Sequence, residues 1–425
     1  MSLPDDSWFR GAGLGLFVHW DHASAQGLEV SWPMVGGSAN LRHTTSTSIA
    51  QYRSTEHTFD PRRFDARQLA RTARESGATY AVLTARHHNG YAMWPTAADK
   101  RSVAHSRGER DIVGEYVTAM RAEGLRVGLY YSLSDWNHPD YPAFTDTHHP
   151  YAQPESTWTW TSPEQADRYR AYLTRQLTEL LTWYGPIDLL WFDGEWERTA
   201  DEWRTGELRA LIRRLAPDCI VNDRLTGHGD YATPEQYIPA EPPPGPWEAC
   251  LTMNTSWGHV PQDHDYKSAR EILHTLAEVV SKGGNLLLNV SPTGDGTLPP
   301  EQRDRLAALA EWTTTHGEAV TGVRPGLAPG MFYGPTARRT HPDGSETLYL
   351  YLLSWPEERF GVRDVPTRRV RSVQLMGAGD LEREERVAIN DLQLPDPRGE
   401  LRITPPKHRP DVLLPVVRID LAAGR

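Results

Sequence analysis

The sequence predicts an α/β fold: a (β/α) TIM-like barrel over residues 1–322, followed by a small C-terminal β-sandwich over residues 323–425. Three observations predict it. Short apolar runs alternate with amphipathic helical stretches as far as residue 314, the pattern of a parallel sheet with helices outside. Several of those runs end in polar side chains, most plainly Leu189-Leu190-Trp191-Phe192-Asp193-Gly194, as barrel strands do when they deliver residues to a catalytic mouth. After Gly322 the texture changes to short alternating segments punctuated by turns such as Pro342-Asp343-Gly344.

Each element has a local reason. Residues 13–20 read as the first strand. Residues 66–76 carry helical periodicity closed by Gly77, and residues 79–85 follow as a strand. The helix 111–123 stops at Gly124, before the strand 126–132. Ser162 can cap, and Pro163 can open, a long helix to Tyr184; Gly185-Pro186 breaks it, and the strand 187–192 leads to Asp193. Residues 202–215 are helical up to Pro217, and residues 219–222 form a strand. Strands 250–254 and 285–290 flank the helix 268–282, and residues 300–314 form a closing helix. The proline-rich stretch 237–247 and the insertion 137–161 are expected as walls of a cleft, with Glu235 in the loop before the former. In the C-terminal part, residues 347–354, 370–376, 386–389, 401–404 and 416–421 read as strands. No glycine-rich phosphate fingerprint follows any strand, which weakens the doubly wound, nucleotide-binding alternative.

Composition narrows the function. With 38% hydrophobic and 24% charged residues over 425 positions, the chain reads as soluble and no stretch is apolar for long enough to span a membrane. A net charge of −11 argues against a nucleic-acid partner. Cys219 and Cys250 form no disulfide framework, and the start Met1-Ser2-Leu3-Pro4-Asp5-Asp6 lacks a basic segment followed by an apolar one, so a cytoplasmic location is expected. Fifteen tryptophans and seventeen tyrosines against eight phenylalanines supply amphipathic rings of the kind that stack on sugar faces.

The strand ends collect His19, His87-His88-Asn89, Tyr130-Tyr131, Asp193 and Asn222-Asp223-Arg224, with Glu235 and Trp257 in the following connections. This set is rich in hydrogen-bonding groups for neutral hydroxyls and offers no anion cradle, which suits a sugar ring. Two carboxylates suffice for glycoside hydrolysis, and Asp193 with Glu235 is the best pair. Each residue alone has an ordinary structural reading: Asp193 as a cap, Arg224 as an ion pair with Asp223, Trp257 as core. Their joint occurrence at successive strand ends favours a site. A metal-dependent hydrolase using His19, Asp21, His22, His87, His88 and Asp193 is the rival enzyme, although the first strand lacks a His-x-His pair.

With these residues in view, the chain resembles the α-L-fucosidases of glycoside hydrolase family 29. The matching motifs run in order from Gly15-Leu16-Phe17-Val18-His19-Trp20 through Ala85-Arg86-His87-His88-Asn89-Gly90, Gly128-Leu129-Tyr130-Tyr131-Ser132, Trp191-Phe192-Asp193-Gly194, Val221-Asn222-Asp223-Arg224 and Thr255-Ser256-Trp257-Gly258 to Leu286-Leu287-Leu288-Asn289-Val290. The resemblance implies a retaining, cofactor-free and metal-free enzyme acting on fucosylated small glycosides or oligosaccharides, with Asp193 as nucleophile and Glu235 as acid/base. Glu241 and Glu248 are alternatives for the second role. It further implies that His19, His87, His88, Tyr131 and Arg224 hold the sugar hydroxyls and that Trp257 lies beside the sugar's methyl face. Glu29 and Trp32 are the nearest equivalents of a Glu-Trp pair that is adjacent in the family. The usual glycine after His-Trp is Asp21 here, and the usual aspartate after His-His is Asn89; both changes are expected at the mouth. A sugar-binding protein without catalysis and an enzyme that accepts L-galactosides are the other readings.

Overall fold

The structure, a computed structural model, describes residues 4–38, 41–44, 46–141, 160–387 and 398–424. Seven parallel strands, β1 (Leu14–Val18), β2 (Ala78–Arg86), β3 (Arg126–Ser132), β4 (Leu189–Asp193), β5 (Ile220–Val221), β6 (Glu248–Thr252) and β7 (Asn285–Val290), lie in the order β5-β4-β3-β2-β1-β7-β6. The gap between β5 and β6 is filled by residues 230–236. Parallel bridges pair Asn222 with Tyr231, Ala232 with Trp247 and Glu235 with Cys250, so this segment is an irregular eighth stave that closes the barrel. Glu235 therefore sits on the barrel wall and not in a free loop. Pro234 can donate nothing to the ladder, but its carbonyl accepts from Cys250 N at 3.1 Å.

Around the strands run α1 (Ile49–Arg53), α2 (Ala66–Glu75), α3 (Ile112–Ala122), α4 (Pro163–Trp183), α5 (Ala200–Trp203), α6 (Thr205–Leu215), α7 (Ala269–Ser281) and α8 (Pro300–His316). Their starts are chemically marked: Asp65, Asp111, Ser162 and Ser268 each accept from a backbone N–H of the first turn. The single helix expected over 202–215 is two. Arg204 adopts φ +51°, and Thr199 with Glu202 makes a capping box that starts the short α5 independently.

Side chains alternate along each strand, and this parity separates two cores. Phe17, Tyr130 and Trp191 point into the barrel, whereas Leu16, Leu129 and Leu190 pack outward against the helices. Beyond Gly322 two antiparallel sheets follow. The larger contains β8 (Arg324–Pro325), β9 (Thr336–Thr340), β10 (Glu346–Tyr351), β12 (Val370–Leu375), β13 (Gly379–Asp380) and β16 (Val416–Leu421); the smaller contains β11 (Phe360–Val365), β14 (Glu382–Val387) and β15 (Gly399–Thr404). Leu348, Leu350, Val417 and Ile419 meet Val362, Leu401 and Ile403 across a common core, the expected sandwich. β9 and β11 had no strand assigned from the sequence. The expected strand 386–389 runs partly outside the described residues and begins earlier, at Glu382. Tyr349 and Tyr351, on the face of β10 opposite to Leu348 and Leu350, pack toward the barrel, where Tyr351 donates to the carbonyl of Ala319 and Trp312 Nε1 donates to that of Leu414 at 2.8 Å. No helix among the described residues is long and apolar enough to cross a membrane.

Candidate active site

A cavity of about 870 Å³ opens at the C-terminal ends of the barrel strands. Its floor is made by the buried Phe17, Tyr130 and Trp191, and its walls carry His19, His87, His88, Asp193, Arg224, Glu235, Trp32 and Trp257. Trp191 is fixed from below by Nε1 donation to Glu248 at 2.9 Å, and Arg224 lies over its ring at 4.5 Å.

Arg224 organises the centre. Its Nη1 donates to Asp193 Oδ1 at 2.7 Å and its Nη2 to Glu235 Oε2 at 2.5 Å, so one guanidinium holds both carboxylates. Burial works against its charge, but Asp193 and Glu235 outweigh that and keep it protonated well above the usual arginine range. The other oxygen of Asp193 accepts from the Tyr130 hydroxyl at 2.7 Å, and His88 Nε2 stands 3.6 Å away. Asp193 has a side chain only 12% exposed, whereas that of Glu235 is 37% exposed.

The three histidines share one design. His19 Nδ1 meets Asn289 Oδ1 at 2.7 Å, His87 Nδ1 meets Ser31 Oγ at 2.6 Å, and His88 Nδ1 meets Ser132 Oγ at 2.6 Å. Each ring thus spends Nδ1 on the scaffold and keeps Nε2 for the cavity. Asn289 Nδ2 donates to Trp257 O at 2.8 Å, which orients its oxygen toward His19 and makes His19 the Nδ1–H tautomer with an accepting Nε2. Burial pushes His19 down to about 4, against the opposing pull of Asn289 and Asp193, and drives His87 and His88 well below the ordinary histidine range. The rings are neutral at pH 7.

Several expected contacts are relocated. Tyr131 shares the parity of Val127 and Leu129; it points outward, donates to Gln176 Oε1 at 2.9 Å and carries Arg86 over its ring. Tyr130, on the inward parity, occupies the place expected of it. Glu29 is buried behind the cavity wall, where its Oε1 accepts from Trp257 N at 2.9 Å and Gly258 N at 3.1 Å, so it props the Trp257 loop and does not line the cavity. Trp32, by contrast, does line it. Asp21 and Asn89 are not at the mouth: both are buried, and Asn89 Nδ2 donates to Asp21 Oδ2 at 2.7 Å. Asn89 N in turn donates to Ser31 Oγ at 2.8 Å, the hydroxyl that holds His87, so Asp21 and Asn89 form one network behind that ring.

Glu248 enters β6 at its N-terminal end, beneath the cavity, and its carboxylate is held by Tyr80 and Trp191; burial raises it to about 7. Glu241 is exposed, and neither it nor any other residue of 237–247 lines the cavity. Within the insertion 137–161, residues 142–159 lie outside those described. Of the six residues of the metal-site reading, His87, His88 and Asp193 bring donor atoms within 4.8 Å of one another. Asp21 is engaged by Asn89, and His22 Nδ1 meets Thr55 Oγ1 at 2.9 Å, so neither joins them.

Residues given no role from the sequence complete the site. Tyr130, Asn289, Ser31 and Ser132 are legible only through strand parity or pairing. Glu195, next to the Asp193-Gly194 turn, is raised to about 7 by burial and then by the charge of Asp193. Trp196 stands on the cavity rim, 45% exposed.

Known proteins share this architecture and sequence. The α-L-fucosidase family model matches residues 2–318. The tissue α-L-fucosidase of Rattus norvegicus is 33% identical over 378 residues, 84% of this chain and 78% of the relative. The solved structure of α-L-fucosidase isoenzyme 1 from Paenibacillus thiaminolyticus superimposes with a TM-score of 0.81 at 30% identity, covering 98% of each chain. An α-L-fucosidase of family GH29 from Bacteroides thetaiotaomicron gives a TM-score of 0.80 at 25% identity, covering 100% of this chain and 96% of that one. A (β/α) barrel with a C-terminal β domain, a polar cavity at its strand ends and this extent of similarity make the chain a member of the α-L-fucosidase family of glycoside hydrolases.

Proposed function

We propose that this retaining α-L-fucosidase removes terminal α-L-fucosyl residues from small glycosides and oligosaccharides, with Asp193 as nucleophile and Glu235 as acid/base. The observation that carries the reading is the sharing of one guanidinium by these two carboxylates at the cavity centre. Tyr130 and Arg224 each donate to Asp193 and aim it; every carboxylate oxygen retains a lone pair for attack on the anomeric carbon. Glu235 is the more exposed of the two, as suits a group that meets both the leaving group and water. In the first step the glycosidic oxygen takes the Glu235 proton and leaves with the bonding electrons while Asp193 bonds to the sugar. In the second, water displaces Asp193 and gives its proton to Glu235. Glu235 Oε2 must release Arg224 to reach the glycosidic oxygen. The neutral His19 accepts a sugar hydroxyl through Nε2, His87 and His88 bind others, Trp32 borders the ring, and Trp257 faces the methyl group.

Turnover of an aryl α-L-fucoside tests this. We expect Asp193→Ala to lose roughly 10⁴ or more in kcat, with azide restoring turnover as the β-fucosyl azide. Glu235→Ala should be rescued as the α-fucosyl azide. Retention of near-wild-type activity by Asp193→Ala would sink the assignment.

A further inference from the structure

The cavity is closed at its floor, so whatever is attached to the fucosyl ring must leave over the rim. Among the described residues, the exposed ones lining the cavity are Arg42, Trp196 and Gln236, of which Trp196 is the aromatic one. Its indole runs parallel to that of Trp32, 8° between planes and 6.4 Å between centroids, and meets the His88 ring edge-on at 5.5 Å. Since His88 Nε2 is 3.6 Å from Asp193, the exposed indole stands within one ring of the reacting centre.

The turn carrying it is held from several sides. Gly194 adopts φ +75°, and a Cβ there would come within 2.5 Å of Ser134 Oγ, so the chain can turn so sharply only with glycine. Glu197, one residue beyond the indole, accepts from Trp136 Nε1 at 2.7 Å and from the Tyr141 hydroxyl, and Trp203 Nε1 donates to Glu195 O at 2.9 Å. A large apolar ring is thus held 45% exposed by a braced turn at the rim of the cavity. Solvation gives no reason for that; a ligand with an apolar face does.

We propose that Trp196, backed by Trp32, is the platform on which the sugar bearing the fucosyl residue stacks, and that the favoured aglycone is a hexopyranose presenting its C–H face to the indole. This rests on the fucosidase reading above. The test compares kcat/KM of wild type, Trp196→Ala and Trp196→Phe on two substrates: α-L-fucosyl fluoride, which has no aglycone ring, and the α-L-fucosyl hexose whose linkage the wild type cleaves fastest. Unchanged circular dichroism and melting temperature of the variants control for folding. We expect Trp196→Ala to lose about tenfold more on the disaccharide than on the fluoride, mainly in KM, and Trp196→Phe to recover part of it. Equal losses on both substrates would place the indole with the fucosyl pocket and overturn the proposal, as would no loss on either or failure of the wild type to cleave any fucosyl hexose. An inactive wild type on the fluoride would overturn the fucosidase reading itself, and this inference with it.

Discussion

Tyr130 and Tyr131 are neighbours in the chain and opposites in the fold. The hydroxyl of Tyr130 reaches Asp193 Oδ2, and that of Tyr131 reaches Gln176 behind the barrel wall. A hydrogen bond to a charged group is worth about 1.5–3 kcal/mol, so we expect Tyr130→Phe to lower kcat by roughly ten- to a hundredfold. Tyr131→Phe should leave kcat and KM near wild type and show itself only in melting temperature. Parity would have told them apart: Asp193 shares a face of β4 with Trp191, which lies opposite Tyr130 in the register with β3. Glu29 makes a second test. Burial raises its carboxyl from 4.5 to about 7, so within that window the native state holds a proton that the unfolded chain releases. Its contribution to stability therefore falls as pH rises through the window and is level above it. Glu29→Gln keeps an oxygen for the Trp257 and Gly258 amides and removes the titration. Relative to wild type it should gain stability between pH 5 and 8, by at most about 3 kcal/mol, measured as unfolding free energy against pH.

At the scale of elements, the regular strands and helices were legible because their signals are local. Ser162-Pro163 starts α4, and an apolar run ending in a carboxylate is β4. The stave 230–236 was not, because a proline interrupts it and its pairing consists of single bridges between distant residues. What fixes it is Asp230, whose nearly buried carboxylate accepts from Arg209, from Arg213 and from Val221 N at 2.9 Å. Removing one side of such a network leaves uncompensated charge, at a cost of about 3–5 kcal/mol. We expect Asp230→Ala to lose stability of that order by denaturant titration, and to lose kcat besides, because Glu235 hangs on the same segment. Asp21 and Asn89 teach the converse: nothing in the sequence ties one to the other, and only the fold shows that they are bonded.

Over the whole molecule, we propose that the chain divides at residues 322 and 323 into barrel and sandwich. The two parts share apolar surface: Tyr349 and Tyr351 belong to the same core as the barrel helices, and Trp312 of α8 donates across to Leu414. Trp312→Ala should cost about 3–5 kcal/mol while leaving KM unchanged, and thermal unfolding should remain a single transition when followed separately by fluorescence and by far-ultraviolet circular dichroism. Two resolved transitions would mean that the sandwich folds without the barrel. That the C-terminal part is a sandwich was evident from its alternating segments; that one face of β10 serves the sandwich and the other the barrel was not, since tyrosine and leucine alternate there without a polar face.

The closing stave has a mechanical consequence. Asp193 ends a strand laddered on one side to β3 along its whole length, and it is the acid proposed to form a bond to carbon. Glu235 rides on the seam, where scattered bridges replace a ladder, and it is the acid proposed to exchange its grip on Arg224 for an oxygen of the substrate and back again. The barrel thus divides stiffness between its two acids: an anvil on one wall, a spring on the other.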